Sequence, residues 1–302
     1  MFIEEIKKFS NTINSKFYFD YDLKKSNWFN IGGKTKVYFK PESLSDLVLF
    51  LKKFGLNEKI YILGAGSNTL VSDHLFDGIV IKLGKNFSNI SLLPNDIIVA
   101  GSACTDKKLS EFALNNGIGG FEFLACIPGT IGGGLKMNAG CFNKEFKDIL
   151  ISIQAIDRQG RVIAIPADKI LFEYRNNDLS DDLTFLSASF KGEKKDKGII
   201  EKEVIELKNR KDNAQPTKIK TSGSTFKNPI NQTNKKVWEL IKESVPLDLK
   251  FGDACISTKH CNFFVNKNNA SFKDMNKLIE FVRDSVEEKT GIKLEKEIKI
   301  LE

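Results

Sequence analysis

Hydroxyl side chains cluster around a glycine late in the chain, in the segment TSGSTFKNP at residues 221–229. The hydroxyl-bearing residues that flank Gly223 are Thr221, Ser222, Ser224 and Thr225. A glycine permits the tight turn that would present one hydroxyl to a ligand. Local sequence alone favours serines and threonines that cap or bridge a turn. A chemical role for one of them therefore depends on what the rest of the chain binds.

A glycine turn that suits a diphosphate follows a short apolar stretch in LGAGSNTLVSD. Gly64 and Gly66, with Ala65 between them, allow tight turning of the backbone. Consecutive N–H groups here, together with Ser67 and Asn68, are the kind of donors that cradle a diphosphate. The turn lacks the third glycine of a Rossmann fingerprint, and no acidic ribose-binding residue stands out downstream. On this segment alone, a structural loop and a nucleotide site both remain open.

A longer glycine-rich segment, GGFEFLACIPGTIGGGLKMNAGC, occupies residues 119–141. Bulky side chains are scarce in its 129–134 portion, and Asn-Ala-Gly follows at 138–140. Such a segment lets the backbone approach a flat, bulky ligand closely and present amides to it. A tight crossover between sheets is the competing structural interpretation.

Hydrophobic periodicity and capping signals predict both strands and helices around these segments. Strands are predicted in KVYFKP, KIYIL, GIVIKL and NDIIVAG, and a hairpin over 149–166 that turns near Gly160. Helices are predicted from Ser43 to Gly55 and in TDKKLSEFALNNG, which Gly117 closes.

The C-terminal third has its own elements. A charged helix over about 196–213 leads into a proline break that marks a candidate domain boundary. A short helix near KKVWELIKE, a strand in NFFVN and a helix from the capping box at Ser271 to Gly291 follow. The last segment, IKLEKEIKIL, alternates like a strand and puts Glu295 and Glu297 on one polar face. This pattern does not choose between the two carboxylates.

The composition is that of a soluble globular protein with two or three packed units. The chain has 302 residues, of which 41% are hydrophobic and 28% are charged. The net charge of +7 is spread along the chain. It therefore suits a small anionic ligand better than a nucleic acid, which would favour a concentrated basic patch with interleaved aromatic residues.

Neither a disulfide framework nor a metal site is expected. The five cysteines are odd in number, form no CxxC pair and are accompanied by only two histidines. The start, MFIEEIKKF, lacks the apolar core of a signal peptide, and no segment reaches membrane-spanning length. We therefore expect a cytoplasmic protein with no membrane partner. We also expect a monomer that acts on a small molecule, with no nucleic-acid partner.

Six segments occur in an order that resembles one enzyme family. They are FNIGG (29–33), GAGSN (64–68), GFEFLACIPGTIGGGLKMNAG (120–140), EYRNND (173–178), GSTFKNP (223–229) and LEKEIKIL (294–301). The series resembles the UDP-N-acetylenolpyruvoylglucosamine reductase (MurB) family of bacterial peptidoglycan precursor synthesis and spans nearly the whole chain. The chain is similar to the compact subtype, because little room remains between the tyrosine–arginine and serine segments for the extra tyrosine loop of the longer subtype.

The resemblance implies an α+β fold. It consists of a FAD-binding fold of the vanillyl-alcohol-oxidase (PCMH) type in two subdomains, followed by a C-terminal α+β substrate-binding domain. The implied boundaries are 1–85 and 86–200 for the FAD-binding subdomains and 201–302 for the substrate-binding domain.

The resemblance also implies an NADPH-dependent flavin oxidoreductase with FAD. NADPH would reduce the flavin, which passes a hydride to UDP-N-acetylglucosamine enolpyruvate and gives UDP-N-acetylmuramate. The implied cofactor-binding residues are Gly64, Ala65, Gly66, Ser67, Asn68, Pro128, Gly129, Thr130, Gly132, Gly133, Asn138, Ala139 and Gly140.

Three catalytic residues are implied by the family's motifs. Ser224 matches the proton-donating serine, Arg175 the arginine that grips the substrate carboxylate, and Glu297 the carboxylate that assists the enol. The chemistry needs such groups, because hydride addition to the terminal enolpyruvyl carbon places negative charge beside the carboxylate. The planar fork of arginine suits bidentate contact with that carboxylate.

Substrate contacts are implied at four further positions: Tyr174, Lys227, Asn228 and His260. Two positions depart from the family's pattern. Lys136 stands where many relatives have arginine, and Thr225 stands where an apolar residue is expected. A second hydroxyl beside Ser224 competes for the role of proton donor.

Three other functions fit the sequence less well. Another flavin oxidase or dehydrogenase of the same fold is disfavoured by the serine, arginine and glutamate set. A non-enzymatic nucleic-acid-binding protein is disfavoured by the dispersed charge. A Rossmann dehydrogenase is disfavoured by the glycine spacing.

Overall fold

A computed structural model describes residues 2–302 of the chain and contains both helices and strands. The α-helices of this part of the chain are α1 (Phe2–Ser10), α2 (Leu44–Phe54), α3 (Asp106–Asn116), α4 (Ile131–Lys136), α5 (Lys197–Ala214), α6 (Val237–Ser244) and α7 (Phe272–Thr290). Its first ten strands are β1 (Lys16–Asp22), β2 (Lys34–Lys40), β3 (Ile60–Ile62), β4 (Thr69–Val71), β5 (Phe76–Ile81), β6 (Ile90–Leu93), β7 (Ile97–Gly101), β8 (Ile118–Gly119), β9 (Gly140–Cys141) and β10 (Lys144–Glu145). The remaining strands are β11 (Leu150–Ile156), β12 (Val162–Pro166), β13 (Phe172–Glu173), β14 (Asn176–Asn177), β15 (Thr184–Lys191), β16 (Glu193–Lys194), β17 (Lys250–Phe251), β18 (Ala254–Ile256), β19 (Phe264–Asn266) and β20 (Lys299–Leu301).

The helices begin and end where the capping residues predict. Ser43 caps α2 by accepting from the backbone N–H of Asp46, and Ser271 forms a reciprocal capping box with Asp274 at the start of α7. Gly117 ends α3 in the left-handed conformation, at φ 65°. These predicted helix bounds are confirmed.

The chain divides into two compact units. The first comprises the residues up to Phe19, Val37–Ala65 and Gly78–Lys211, and the second comprises Asp20–Lys36, Gly66–Asp77 and Asp212–Glu302. The divisions fall inside strands β1, β2 and β5 and inside helix α5. The three-part division expected from the sequence stays a prediction.

The first unit contains an antiparallel sheet in the order β12-β11-β15-β7-β6. Its β11–β12 hairpin confirms the one predicted over 149–166, and Gly160 in the turn has φ 77°. Strands β1, β2, β5 and β3 form another sheet in that order, in which β3 and β5 run parallel. Two apolar clusters fill this unit, one around Phe39 and Phe50 and the other around Phe146 and Phe190. Phenylalanine is a main component of both clusters.

The second unit packs α6 and α7 around one apolar cluster. Phe226, Phe264 and Leu278 are among its fully buried members. Strands β17, β18 and β19 form an antiparallel sheet, and β20 pairs in parallel with β4.

The last segment differs from its predicted form. A continuous strand over IKLEKEIKIL was predicted, but only Lys299–Leu301 forms a strand. The preceding residues pair instead with the Ser224–Lys227 segment, through an isolated bridge between Phe226 and Lys296. Because the chain changes partner between Lys296 and Lys299, no continuous ladder forms, and the prediction was wrong over 292–298.

Candidate active site

The glycine turn after β3 lies against the second glycine-rich segment. Directly after β3, the N–H of Leu63 donates to Ile81 O, in β5, at 2.9 Å. A Cβ atom on Gly64 would lie 2.8 Å from Thr130 Oγ1. Glycine is therefore required for the two segments to approach this closely, and the first unit brings together two of the predicted cofactor segments.

The rest of this turn, from Gly66 to Asn68, belongs to the second unit. Gly66 has φ +68°, and a Cβ atom there would lie 2.2 Å from Ser26 O, so only glycine fits. Asn68 Nδ2 donates to Glu297 O at 3.0 Å, and the N–H of Lys299 donates to Asn68 O at 2.9 Å. The turn is thereby joined to the segment that carries a predicted catalytic carboxylate.

The second glycine segment forms a short helix with an open glycine face. Thr130 caps α4, and its Oγ1 accepts from the N–H of Gly133 at 3.4 Å. The N–H groups of Ile131 and Gly132 donate at 2.9 Å to carbonyls that precede α3. Pro128 and Gly133 are exposed, whereas Ile131 is fully buried.

These features fit a flat dinucleotide cofactor. Gly64 has no side chain and lies against the Thr130 hydroxyl, and Gly133 has no neighbour closer to an added Cβ than Thr130 Oγ1 at 3.6 Å. Gly129, Gly132, Ala139 and Ser67 are half-buried, as expected of residues that line a ligand surface. The residues present therefore suit FAD.

The side chain of Asn138 makes hydrogen bonds to other residues of the protein. Its side chain is fully buried, and Nδ2 donates to Glu145 Oε2 and to Glu173 O, each at 3.0 Å. Its Oδ1 accepts from the N–H of Lys147 at 3.2 Å. A role of Asn138 in cofactor binding stays a prediction.

Arg175 is held by several contacts within the first unit. Its Nη2 donates to Gly140 O at 2.8 Å, and its Nη1 lies 3.7 Å from Glu145 Oε1. The guanidinium lies over the ring of Tyr174, with Cζ 4.9 Å from the ring centroid. The backbone φ of Arg175 is +58°, a region that non-glycine residues seldom adopt. Residues held in this way cluster at functional sites.

Ser224 lies on a segment that is paired on both sides. It forms an isolated bridge with Phe263. The N–H of Thr225 donates to Asn262 O at 2.8 Å, and the N–H of Glu297 donates to Thr225 O at 2.8 Å. Gly223 precedes it with φ +78°, which confirms the predicted turn. The second unit thus brings Ser224 and Glu297 together on neighbouring segments.

Glu295 and Glu297, which the alternation of the sequence does not distinguish, differ in solvent exposure. Glu297 is half-buried, and its backbone bonds with both Asn68 and Thr225. The Glu295 side chain is 74% exposed, and its Oε2 lies 3.4 Å from Lys227 Nζ. Solvent exposure therefore favours Glu297 as the functional carboxylate.

The predicted substrate residues lie near these groups but have protein partners. Lys227 pairs with Glu295, and Asn228 Oδ1 accepts from the N–H of Val237, the first residue of α6, at 3.0 Å. The Nδ1 atom of His260 accepts from the N–H of Asn262 at 3.3 Å. Burial lowers the pKa of His260 below its ordinary value, so its neutral form is favoured.

The two departures from the family's pattern have structural settings. Lys136 Nζ donates to Leu179 O at 2.8 Å and lies 2.7 Å from the Asp181 carboxylate. Thr225 is fully buried, and within residues 2–302 its Oγ1 has no hydrogen-bond partner. Ser224 is half-buried and is the more accessible of the two neighbouring hydroxyls.

Two residues at these sites were not found from the sequence. Asn262 holds the segment that carries Ser224, because its Oδ1 accepts from the N–H of Phe226 at 3.0 Å and its Nδ2 donates to Phe226 O at 2.9 Å. Glu145 faces Arg175, as described above. Neither has a local signal, since both act through contacts distant in sequence.

The described part of the chain shows neither a metal cluster nor a disulfide. Among residues 2–302 no group of three or more His, Cys, Asp or Glu residues is arranged to hold a metal ion, and the five cysteines are free. None of the helices formed by these residues combines the length and apolar character needed to cross a membrane.

Comparison with known proteins defines the class. A family model described as "FAD binding domain" matches residues 35–165, and one described as "UDP-N-acetylenolpyruvoylglucosamine reductase, C-terminal domain" matches residues 215–301. A reductase of that name from Pelagibacter ubique (strain HTCC1062) is 79% identical over 301 residues, which cover 100% of both chains. The chain is an FAD-dependent oxidoreductase.

The particular family follows from the same and further matches. The reductase of Rickettsia conorii (strain ATCC VR-613 / Malish 7) is 45% identical over 280 residues, covering 93% of this chain and 94% of that protein. The crystal structure of UDP-N-acetylenolpyruvylglucosamine reductase (MurB) from Thermus caldophilus matches with a TM-score of 0.81 and 27% identity, covering 96% of this chain and 99% of that one. The chain belongs to the UDP-N-acetylenolpyruvoylglucosamine reductase family. The family and fold class expected from the sequence are confirmed.

Proposed function

We propose that the chain catalyses the NADPH-driven reduction of UDP-N-acetylglucosamine enolpyruvate to UDP-N-acetylmuramate, as a cytoplasmic monomer. When bound, FAD would supply the hydride-transfer chemistry between NADPH and the terminal enolpyruvyl carbon. Gly64 to Asn68 and the 128–140 segment would hold the cofactor. The fit of these glycine surfaces, with the FAD-binding domain matched over 35–165, supports this assignment.

Side chains of the protein would stabilise the developing negative charge and supply the proton. As the hydride adds, negative charge develops on the carbon beside the substrate carboxylate. Arg175 would bind that carboxylate, and Ser224 would give its proton to the carbon. Glu297 would assist the enol and the return of a proton to the serine. Serine is a weak acid in water, so the step needs an oriented and dry site.

The observation that carries the proposal is the pairing between the two catalytic segments of the second unit. The hydrogen bond from Glu297 N–H to Thr225 O, at 2.8 Å, fixes the glutamate one residue from Ser224 across the pair. In the proposed relay, the Glu297 carboxylate and the Ser224 hydroxyl would both face the substrate from these paired segments. Tyr174, Lys227, Asn228 and His260 would contact the sugar nucleotide.

Flavin absorbance tests the proposal directly. The purified protein should be yellow, and anaerobic NADPH should bleach the absorbance. Addition of the enolpyruvyl sugar nucleotide should restore the oxidised spectrum, whereas UDP-N-acetylglucosamine, which lacks the enolpyruvyl group, should not. A colourless protein that cannot be reconstituted with FAD, or reoxidation by both sugar nucleotides alike, would refute the assignment.

A further inference from the structure

The guanidinium of Arg175 has a carboxylate neighbour that the family's motif segments do not include. Glu145 Oε1 lies 3.7 Å from Nη1, while Gly140 O accepts from Nη2 at 2.8 Å. The side chains of Arg175 and Glu145 are only 17% and 18% exposed. A charge pair shielded from solvent to this degree is screened less than a surface pair.

One small hairpin supplies both contacts. Gly140 in β9 and Glu145 in β10 are directly paired across the two strands. A Cβ atom on Gly140 would lie 2.8 Å from Glu145 Cγ. Glycine at position 140 therefore allows the carboxylate to lie beside the carbonyl that also bonds Arg175.

Asn138 ties this hairpin to the strand that precedes Arg175. Its Nδ2 bridges Glu145 Oε2 and Glu173 O, each at 3.0 Å, from a fully buried position. Lys147 Nζ lies 3.0 Å from the same Glu145 oxygen. The carboxylate is thus fixed at Oε2 while Oε1 faces the arginine.

We propose that Glu145, fixed by Asn138, is a positioning residue that orients Arg175 for the substrate carboxylate. The inference rests on the proposed function, in which Arg175 binds that carboxylate. The left-handed backbone of Arg175 is intrinsically disfavoured, so tertiary contacts must fix the direction of the side chain. A misdirected guanidinium costs rate, because catalysis depends on the oriented geometry.

The charges around Glu145 predict that Glu145→Gln slows the reaction without weakening substrate affinity. Glu145 lies between two cations, Arg175 and Lys147. Glu145→Gln makes this region more positive by one charge, so the affinity for an anionic substrate should not fall. Loss of orientation should nevertheless slow reoxidation of the reduced flavin by about 10- to 100-fold.

The experiment uses the FAD-loaded protein and measures four quantities for each variant. They are the rate of flavin reduction by NADPH, the rate of reoxidation by the enolpyruvyl sugar nucleotide, the calorimetric Kd of that substrate for the oxidised enzyme, and Tm. Glu145→Gln should slow only reoxidation. Glu173→Gln is the matched control, because within residues 2–302 its exposed carboxylate bonds only with Asn176, three residues along the chain. This variant should leave all four quantities unchanged.

A double-variant cycle shows whether Glu145 acts through the arginine. Glu145→Gln should slow reoxidation no further when Arg175→Ala is already present. Further slowing in the double variant would overturn the positioning role. So would a weakened Kd with a lowered Tm in Glu145→Gln, which would make the hairpin merely structural.

Failure of the inference is distinguishable from failure of the proposed function. If Arg175→Ala is slow while Glu145→Gln reoxidises within twofold of the unaltered protein, only the positioning role is wrong. If Arg175→Ala also reoxidises normally, the substrate-binding role of Arg175 and the positioning role of Glu145 are both wrong, whereas the proposed reduction itself is refuted only if the unaltered protein is not reoxidised by this substrate.

Discussion

Arg175 in the first unit and Ser224 in the second are held by different means. Arg175 is fixed by contacts of its side chain with a carbonyl, a ring and a carboxylate. Ser224 is carried on a segment whose neighbours pair through the backbone, with Thr225 bonded to both Asn262 and Glu297. A side chain on a paired backbone can be replaced without moving its surroundings. A side chain held by other side chains is vulnerable to substitutions that never touch the substrate.

Ser224→Ala tests the backbone-held case and should have the largest effect. Loss of a general acid costs about 10²- to 10⁴-fold, so reoxidation by substrate should fall by about 10³-fold. Flavin reduction by NADPH should stay near normal, because the pairing of the segment needs no serine hydroxyl. Stopped-flow absorbance of the flavin measures both half-reactions.

Ser222→Ala removes a hydroxyl from the same segment and serves as its control. Within residues 2–302, the Ser222 hydroxyl makes a single long contact, of 3.4 Å, with Thr69 O. Both half-reactions should remain near normal in this variant. An equal loss in both half-reactions of Ser224→Ala would instead make the serine structural.

Arg175→Lys tests the side-chain-held case. Lysine keeps the charge but loses the fork, the bond to Gly140 O and the contact of the guanidinium with the Tyr174 ring. One charge-assisted hydrogen bond is worth about 1.5–3 kcal/mol, which corresponds to about 10- to 100-fold in the reoxidation rate. Arg161→Lys, at an exposed hairpin turn, should have no effect. Turnover near normal in Arg175→Lys would remove the arginine from the site.

Asn262→Ala attacks the backbone pairing instead of the chemical groups. It would leave the N–H and the carbonyl of Phe226 without the partners they have now, deep in the apolar cluster. Each unsatisfied buried group costs about 1–3 kcal/mol, so the free energy of unfolding should fall by about 2 kcal/mol or more. Denaturant titration measures this change. Asn268→Ala, which loses one exposed bond, should change it by less than about 0.5 kcal/mol.

The helix bounds of this fold follow from local sequence, whereas some strand partners do not. Capping residues such as Ser271 and Gly117 act within one helical turn, so the helix bounds followed from local pattern. The strand partners of the last segment, residues 292–301, did not follow from local pattern. Alternation predicted one strand, whereas pairing with Ser224–Lys227 and then with β4 interrupts it. Strand partners are set by contacts distant in sequence, which periodicity does not encode.

The candidate site shows the same limit. The motifs predicted Ser224 and Glu297 as site residues, and solvent exposure distinguishes Glu297 from Glu295, which the alternation pattern did not. Asn262 and Glu145 escaped detection because an amide or carboxylate that bonds across the fold has no spacing of its own. Both make tertiary contacts with segments that carry predicted site residues.

Thr225→Val separates the two neighbouring hydroxyls and should have the smallest effect. Valine matches threonine in shape, and within residues 2–302 the buried Oγ1 of Thr225 has no partner to lose. Removing an unsatisfied buried hydroxyl should raise the free energy of unfolding by about 1 kcal/mol, measured by denaturant titration. Reoxidation by substrate should stay within about twofold, because backbone bonds alone join Thr225 to its neighbours. If Thr225→Val slowed reoxidation as strongly as Ser224→Ala, the proton would come from the buried hydroxyl, and the accessibility of Ser224 would be a misleading guide.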